Sequence, residues 1–230
     1  MNATLKMWLG RIIGSQDRYL RISYSQEGED LILDRLFERR DSGFYVDVGA
    51  CHPMRFSNTH RFYRRGWHGI NIEPNPEACE LFRRRRKRDI NIECGVADQE
   101  GTLVYFIFNE SALNSFDKKL SEDRHNNGHR IIAKKNVQVR RLSKLLEEYL
   151  PAGTHIDFMS IDVEGYDLEV LKSNDWRRFR PECVLVEAYN FNLGSPAREP
   201  VHTFFEEQKY RLYAKTANTV FYLDQRSGLR

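Results

Sequence analysis

Short apolar runs alternate with amphipathic stretches along most of the chain. "FYVDVG", "HGINIEP", "INIECGVAD" and "HIDFMSIDVEG" are strand-length runs rich in Ile, Val and Phe, and the last reads as a central buried strand. Between them, "SYSQEGEDLILDRLFER" predicts a helix. Ser23 or Ser25 supplies its cap, Glu27, Glu29 and Asp30 suit its first turn, and Ile32, Leu33, Leu36 and Phe37 form its apolar face. "SNTHRFYRRG" predicts a helix begun by Ser57 or Asn58 and stopped by Gly66, and "PEACELFRRRRKR" one that turns Ala78, Leu81 and Phe82 inward. "LSKLLEEYL" places Leu142, Leu145, Leu146 and Tyr149 at helical spacing. "GTLVYFIF", "NVQVR" and "ECVLVEAY" read as further strands, residues 167–173 and the stretch around Val201, Phe204 and Phe205 as helices. "YRLYAK" and "TVFYLD", joined through "TAN", read as a hairpin. This alternation predicts an α/β fold: a Rossmann-like, doubly wound, mostly parallel sheet with a C-terminal antiparallel hairpin.

Two stretches depart from the pattern. Residues 109–135 are polar and too long for an ordinary connection, so they read as an irregular lid insertion in a single domain spanning 23–230. Residues 1–22 read as an N-terminal arm or short helix. "MNATLKMWLGRIIG" mixes apolar and basic residues, which suits docking on the core or weak association with a membrane surface. No apolar run approaches the roughly 20 residues of a transmembrane span.

Composition adds exclusions. With 36 basic and 33 acidic residues the net charge is +3, which gives no argument for a nucleic-acid partner. The run Arg83–Arg88 reads as a solvated helix face. Cys51, Cys79, Cys94 and Cys183 form no CxxC pair and read as reduced thiols of a cytoplasmic protein, and the histidines show no metal-ligand spacing.

The chemistry gathers where the predicted strands end. Ligands of open α/β sheets sit beyond the carboxyl ends of the strands. Those ends here read Asp47-Val48-Gly49-Ala50, Glu73-Pro74-Asn75, Gly95-Val96-Ala97-Asp98, Asp162-Val163-Glu164-Gly165 and Glu187-Ala188-Tyr189-Asn190. Glu73 is placed to accept hydrogen bonds from ribose hydroxyls, and Gly49 lets the backbone approach a ligand. A dinucleotide would require more glycines and a helix N-terminus directly behind the turn, where Cys51, His52, Pro53 and Met54 stand instead. Adenosine without a pyrophosphate fits better, and S-adenosylmethionine is such a cofactor. The candidate cofactor-binding set is Glu27, Asp30, Asp47, Gly49, Ala50, Asn58, Glu73, Pro74, Asn75, Gly95, Val96, Ala97 and Asp162.

The segments "FYVDVGACHPMRFSNTHRFYRRGWHGINIEPNP", "INIECGVAD", "IDFMSIDVEGYDLEVLKS" and "RPECVLVEAY", with "YSQEGEDLIL" upstream, resemble the FkbM-family methyltransferases over about residues 24–190. The resemblance implies a class I S-adenosylmethionine-dependent methyltransferase fold and methylation of hydroxyl oxygens, often on sugars or natural products. Many members carry a lysine two residues before the aspartate of the "DVEG" motif. Ser160 stands there in this chain, so a role for that lysine does not transfer.

An alcohol is a poor nucleophile at neutral pH and requires a general base or a metal ion. The candidate catalytic residues are Asp162, Glu164 and Glu187. Asp162, Glu187 and Asn190 also suit Mg²⁺ or another divalent metal, while a helix cap is the purely structural alternative for Asp162. His52, His125 and His129 are alternative bases. The expected partner is a small-molecule or glycan acceptor. Two rivals stay open: a nicotinamide-dependent oxidoreductase or epimerase, which lacks GxGxxG and YxxxK signatures here, and a non-catalytic nucleotide-binding or scaffolding module on the same fold.

Overall fold

The computed structural model describes residues 20–229, so the arm expected at 1–22 lies almost wholly outside the described residues. The strands in chain order are β1 (Phe44–Val48), β2 (His68–Ile72), β3 (Ile90–Ile92), β4 (Gly95–Val96), β5 (Gly101–Phe108), β6 (Ile131–Arg140), β7 (Phe158–Ile161), β8 (Cys183–Glu187), β9 (Tyr210–Lys215) and β10 (Thr219–Asp224). The helices are α1 (Glu29–Leu36), α2 (His60–Arg64), α3 (Pro76–Arg85), α4 (Lys118–Asn126), α5 (Leu142–Tyr149), α6 (Asp167–Ser173) and α7 (Pro200–Glu207). Seven strands form the main sheet in the order β3-β2-β1-β7-β8-β10-β9. The first five are parallel, and β10 runs antiparallel between β8 and β9. This is the expected class I methyltransferase architecture, closed by the expected hairpin.

Alternation along the buried strands builds two cores. Phe44, Val46 and Val48 of β1 face one layer with Leu142, Leu145, Val170 and Phe205, while Tyr45 faces the other with Leu33, Phe37, Phe62 and Trp67. β1, β7 and β8 are buried at every position, which is why they read as continuous apolar runs.

"INIECGVAD" does not form one strand. Ile92 pairs with Ile72, the last residue of β2, so the chain beyond has no neighbour in the main sheet. Gly95–Val96 instead pairs with β6 in a second sheet of order β4-β6-β5. The expected irregular insertion is also reshaped: β6 starts at Ile131, inside it, and pairs antiparallel with β5. The intervening segment carries a helical turn at Ser111–Leu113 and α4, whose N-terminus is capped by Asp117 Oδ1 accepting from Leu120 N at 2.8 Å.

Arg86 corrects the reading of the arginine run. Its neighbours in the run are exposed, but its own guanidinium is buried. It donates to Pro53 O at 2.9 Å, Tyr45 Oη at 3.0 Å, Ser57 Oγ at 3.0 Å and Thr59 Oγ1 at 3.2 Å, and faces buried Asp89 at 3.4 Å. Thr59 Oγ1 in turn donates to Asp47 Oδ2 at 2.9 Å. One buried cation thereby holds the loop that follows β1. No helix among the described residues is long and apolar enough to cross a membrane.

Candidate active site

A cleft of about 790 Å³, open mouth included, lies beyond the carboxyl ends of β1, β2 and β7. Strand order reverses between β1 and β7, so this is the crevice where such sheets bind ligands. Its floor is the turn after β1. Gly49 has φ 78°, and a Cβ there would collide with the backbone oxygen of Asp162. The chain next passes through Cys51 at φ 53°, whose N–H donates to Glu73 Oε2 at 2.8 Å. Glu73 Oε1 accepts from Asn75 N at 2.7 Å. Each Glu73 oxygen thus takes one backbone N–H and keeps a lone pair for a ligand. Burial pushes its carboxyl up to about 7, and these two N–H groups oppose the rise.

Asp47 also lines the cleft, and burial raises it to about 6 against the pull of Thr59 and Arg86. Asn58 Nδ2 donates to Ser160 Oγ at 3.0 Å on the same wall. Ala50, Pro74, Gly95 and Val96 complete the expected lining. Four expected residues fall outside it. Glu27 accepts from Asn218 N, and Asp30 folds the chain back by accepting from Ser23, Tyr24 N and Ser25. Asn75 caps α3 through Glu77 N, and Ala97 is buried with its N–H on Arg140 O. Gln26, Phe56, Tyr105, Ser111, Asn114 and Phe116 line the cleft without having carried a sequence signal, beyond the place of Gln26 in "YSQEGEDLIL".

At the ends of β7 and β8, Asp162, Glu164 and Glu187 each bring a carboxylate oxygen within 4.8 Å of the others. Asp162 Oδ1 and Glu187 Oε2 are buried without a hydrogen-bond partner. Burial, then the neighbouring carboxylates, hold Asp162 and Glu187 well above the usual carboxylate range. Glu164 is raised less, since Arg124 pairs with it. Asn190, grouped with Asp162 and Glu187 as a metal ligand in the sequence, is exposed, and Glu164 is the third carboxylate beside them. The helix after β7 has no side-chain cap among the described residues, from Asp162 or from any other; Asp167 instead braces the preceding turn by accepting from Val163 N and Gly165 N at 3.2 and 3.1 Å. The histidines are not in the lining: His52 Nδ1 accepts from Met54 N and Arg55 N, and His125 and His129 bond within the α4 turn. Among the described non-glycine residues, Cys51, Phe56, Glu164 and Asn190 have positive φ, and only Lys209 shares this away from the cleft end of the sheet. Backbone strain of this kind collects where a fold positions functional groups.

The segment between β5 and β6 supplies Ser111, Ala112, Asn114 and Phe116 to the cleft lining. Arg55 clasps Glu110 through two bonds of 3.1 and 3.0 Å, and Arg124 pairs with Glu164. Ser115 Oγ donates to Glu164 O at 2.7 Å, and the Phe116 ring lies so near Gly95 that a Cβ there would stand 2.6 Å from it.

No residue lining the cleft is Lys, Arg or His, while Asp47, Glu73, Asp162 and Glu164 all line it. A pyrophosphate would meet only like charge there. A sulfonium and an ammonium group offset the burial of those carboxylates, so the residues fit S-adenosylmethionine and not a dinucleotide.

The FkbM methyltransferase domain model matches residues 47–212. The methyltransferase sdnD of Sordaria araneosa is 30% identical, over 73% of this chain and 73% of its own. Among solved structures, a TehB-like S-adenosylmethionine-dependent methyltransferase from Corynebacterium glutamicum is 9% identical, covers 96% of both chains and gives a TM-score of 0.42. An O-methyltransferase from Bacillus cereus in complex with S-adenosylhomocysteine is 11% identical, covers 97% of this chain and 91% of its own, and gives 0.39. At those scores the two structures carry no argument, and the assignment rests on the family match and the sdnD relative. The chain belongs to the FkbM family of S-adenosylmethionine-dependent methyltransferases.

Proposed function

We propose that the protein methylates a hydroxyl oxygen of a small acceptor such as a sugar. The observation that carries this reading is the carboxylate cluster of Asp162, Glu164 and Glu187 beside the cofactor cleft, with two buried oxygens that have no partner. A nitrogen or sulfur acceptor nucleophilic in its own right has little use for such a group, whereas a hydroxyl must lose a proton. Gly49, Ala50 and Asp47 hold the amino-acid end of the cofactor, Glu73 accepts from its ribose, and Gly95 and Val96 flank its base. The bound cofactor supplies a methyl carbon on a cationic sulfur: the new oxygen–carbon bond forms as the carbon–sulfur bond breaks and its electron pair stays on sulfur. Asp162 orients the acceptor hydroxyl and takes its proton.

A nicotinamide cofactor is disfavoured by the same absence of basic lining residues, and a non-catalytic module by the cost of burying two carboxylate oxygens that have no partner. All four cysteines are unpaired, which supports a reducing, cytoplasmic setting. Incubation with methyl-labelled cofactor and a panel of sugars and hydroxylated metabolites tests the reading by mass spectrometry. Label on an acceptor oxygen supports it, and label found only on nitrogen, sulfur or carbon refutes it.

We read residues 109–130 as a lid whose latches are Arg55–Glu110 and Arg124–Glu164. Exposed ion pairs such as the first contribute only about 0–1 kcal/mol, so opening without ligand is expected. Limited proteolysis is expected to cut first within this segment and to slow when cofactor product and acceptor are both present. First cleavage elsewhere, indifferent to ligand, would count against a lid.

A further inference from the structure

We propose that Asp162, Glu164 and Glu187 form a binding site for one divalent cation of the Mg²⁺ or Mn²⁺ class, which receives the acceptor hydroxyl as a further ligand. The inference rests on the oxygen-methylation reading above and assigns that site its ion.

Geometry is the first support. Neighbouring ligands of an octahedral Mg²⁺ at about 2.1 Å stand about 3.0 Å apart, and opposite ones about 4.2 Å. The three carboxylate oxygens lie within 4.8 Å of one another, near enough for side-chain rotations to bring them onto one ion. All three are hard oxygen donors, the type these ions take.

Two unsatisfied atoms are the second, independent support. Asp162 Oδ1 and Glu187 Oε2 are buried with no hydrogen-bond donor, and Glu187 is only 6% exposed. Other acids nearby are satisfied: Asp167 accepts two backbone N–H groups, and Glu73 does the same. The oxygens left over in this region are those of the cluster.

Charge is the third. Of the basic side chains, Arg124 forms the ion pair to the cluster, reaching Glu164 Oε2 from the lid. Tyr189 Oη donates to that same oxygen at 3.2 Å, so both bonds fall on one side of the Glu164 carboxylate. Fully ionised, the three carboxylates against one guanidinium leave two negative charges; a divalent ion balances them and takes the place of the protons that Asp162 and Glu187 otherwise hold. An ion there acidifies a hydroxyl bound to it, and the proton still passes to a carboxylate oxygen of the cluster. Arg124 then competes with the ion for Glu164, so the lid latch and the ion are coupled.

The test titrates Mn²⁺ into the metal-stripped full chain, with and without S-adenosylhomocysteine, and follows the loss of the free-ion electron paramagnetic resonance signal. One saturable site is expected. Glu187→Gln is expected to weaken it at least tenfold with S-adenosylhomocysteine affinity unchanged, and Arg124→Gln to tighten it severalfold, an effect that general loss of structure does not produce. No saturable site in either condition, or a site untouched by Glu187→Gln, overturns the proposal, and a cluster that merely shares protons gives the first of these results. Methylation of an oxygen at the full rate in the presence of a chelator overturns the ion and leaves the acceptor reading intact. A bound ion with methyl transfer only to nitrogen, sulfur or carbon upholds the ion and overturns that reading.

Discussion

Asp162→Asn is expected to lower turnover about 100-fold or more while S-adenosylhomocysteine binds within about twofold of the parent affinity. Asparagine keeps the size and the Oδ1 acceptor but cannot take a proton and brings no charge. The backbone of Asp162 is fixed independently of its side chain, since its N–H donates to Val48 O at 3.0 Å. The turn that follows is held by Asp167, which accepts from Val163 N and Gly165 N. The substitution therefore removes chemistry and leaves the turn standing. Single-turnover rates and calorimetric cofactor affinities, measured on the same preparation, separate the two. Equal loss of affinity and rate would mean that Asp162 serves binding, and an unchanged rate would remove it from the chemistry altogether.

The largest stability effect is expected at Arg86. Arg86→Met keeps a long apolar stem but takes from buried Asp89 its only paired cation among the described residues, leaving it neutral donors in Tyr45 Oη, Gly69 N and Asn71 Nδ2. It also withdraws donors from Pro53 O, Ser57 and Thr59. Removing one member of a buried ion pair costs about 3–5 kcal/mol. For a chain of this size that is a fall in melting temperature of roughly 6–20 °C. Arg85→Met, one residue earlier on the exposed face, is expected to change stability by less than about 0.5 kcal/mol. Urea unfolding of both variants checks the contrast, and equal stabilities would return Arg86 to the solvated face that the arginine run suggests.

What the sequence disclosed and what it hid follow from where each residue's partners lie. β1, β7 and β8 were legible because strands buried on both faces are apolar except near the cleft end, where Asp47, Ser160 and Glu187 stand. The turn at Gly49 and the acid at Glu73 were legible because a strand end facing a crevice is polar for a reason of its own. β6 was legible only at its "NVQVR" end, because half of its positions are exposed, one alone is buried, and the rest looks like loop. Arg86 was hidden by its charge, although Cys79, Phe82 and Arg86 fall three and four residues apart, the spacing of one buried helix face. Glu164 was among the expected catalytic residues, but its place beside Glu187 was not legible. That place depends on a left-handed turn at φ 55° that no local pattern announces, and the turn at Asn190 (φ 61°) leaves that residue exposed.

The claim on which the account stands is that the cofactor lies in the acidic cleft with its ribose on Glu73. Burial holds the Glu73 carboxyl at about 7, and ribose hydroxyls donate more strongly to its ionised form, so binding lowers that value and releases a proton at lower pH. Affinity for S-adenosylhomocysteine is therefore expected to rise with pH, by up to about tenfold per unit below 7, and to level off above it. Calorimetric titration of the parent and of Glu73→Gln between pH 6 and pH 8 measures this directly. The account predicts a parent affinity that climbs to a plateau, with Glu73→Gln about tenfold weaker at pH 8 and flatter with pH. Equal affinities for the two proteins at every pH would contradict it.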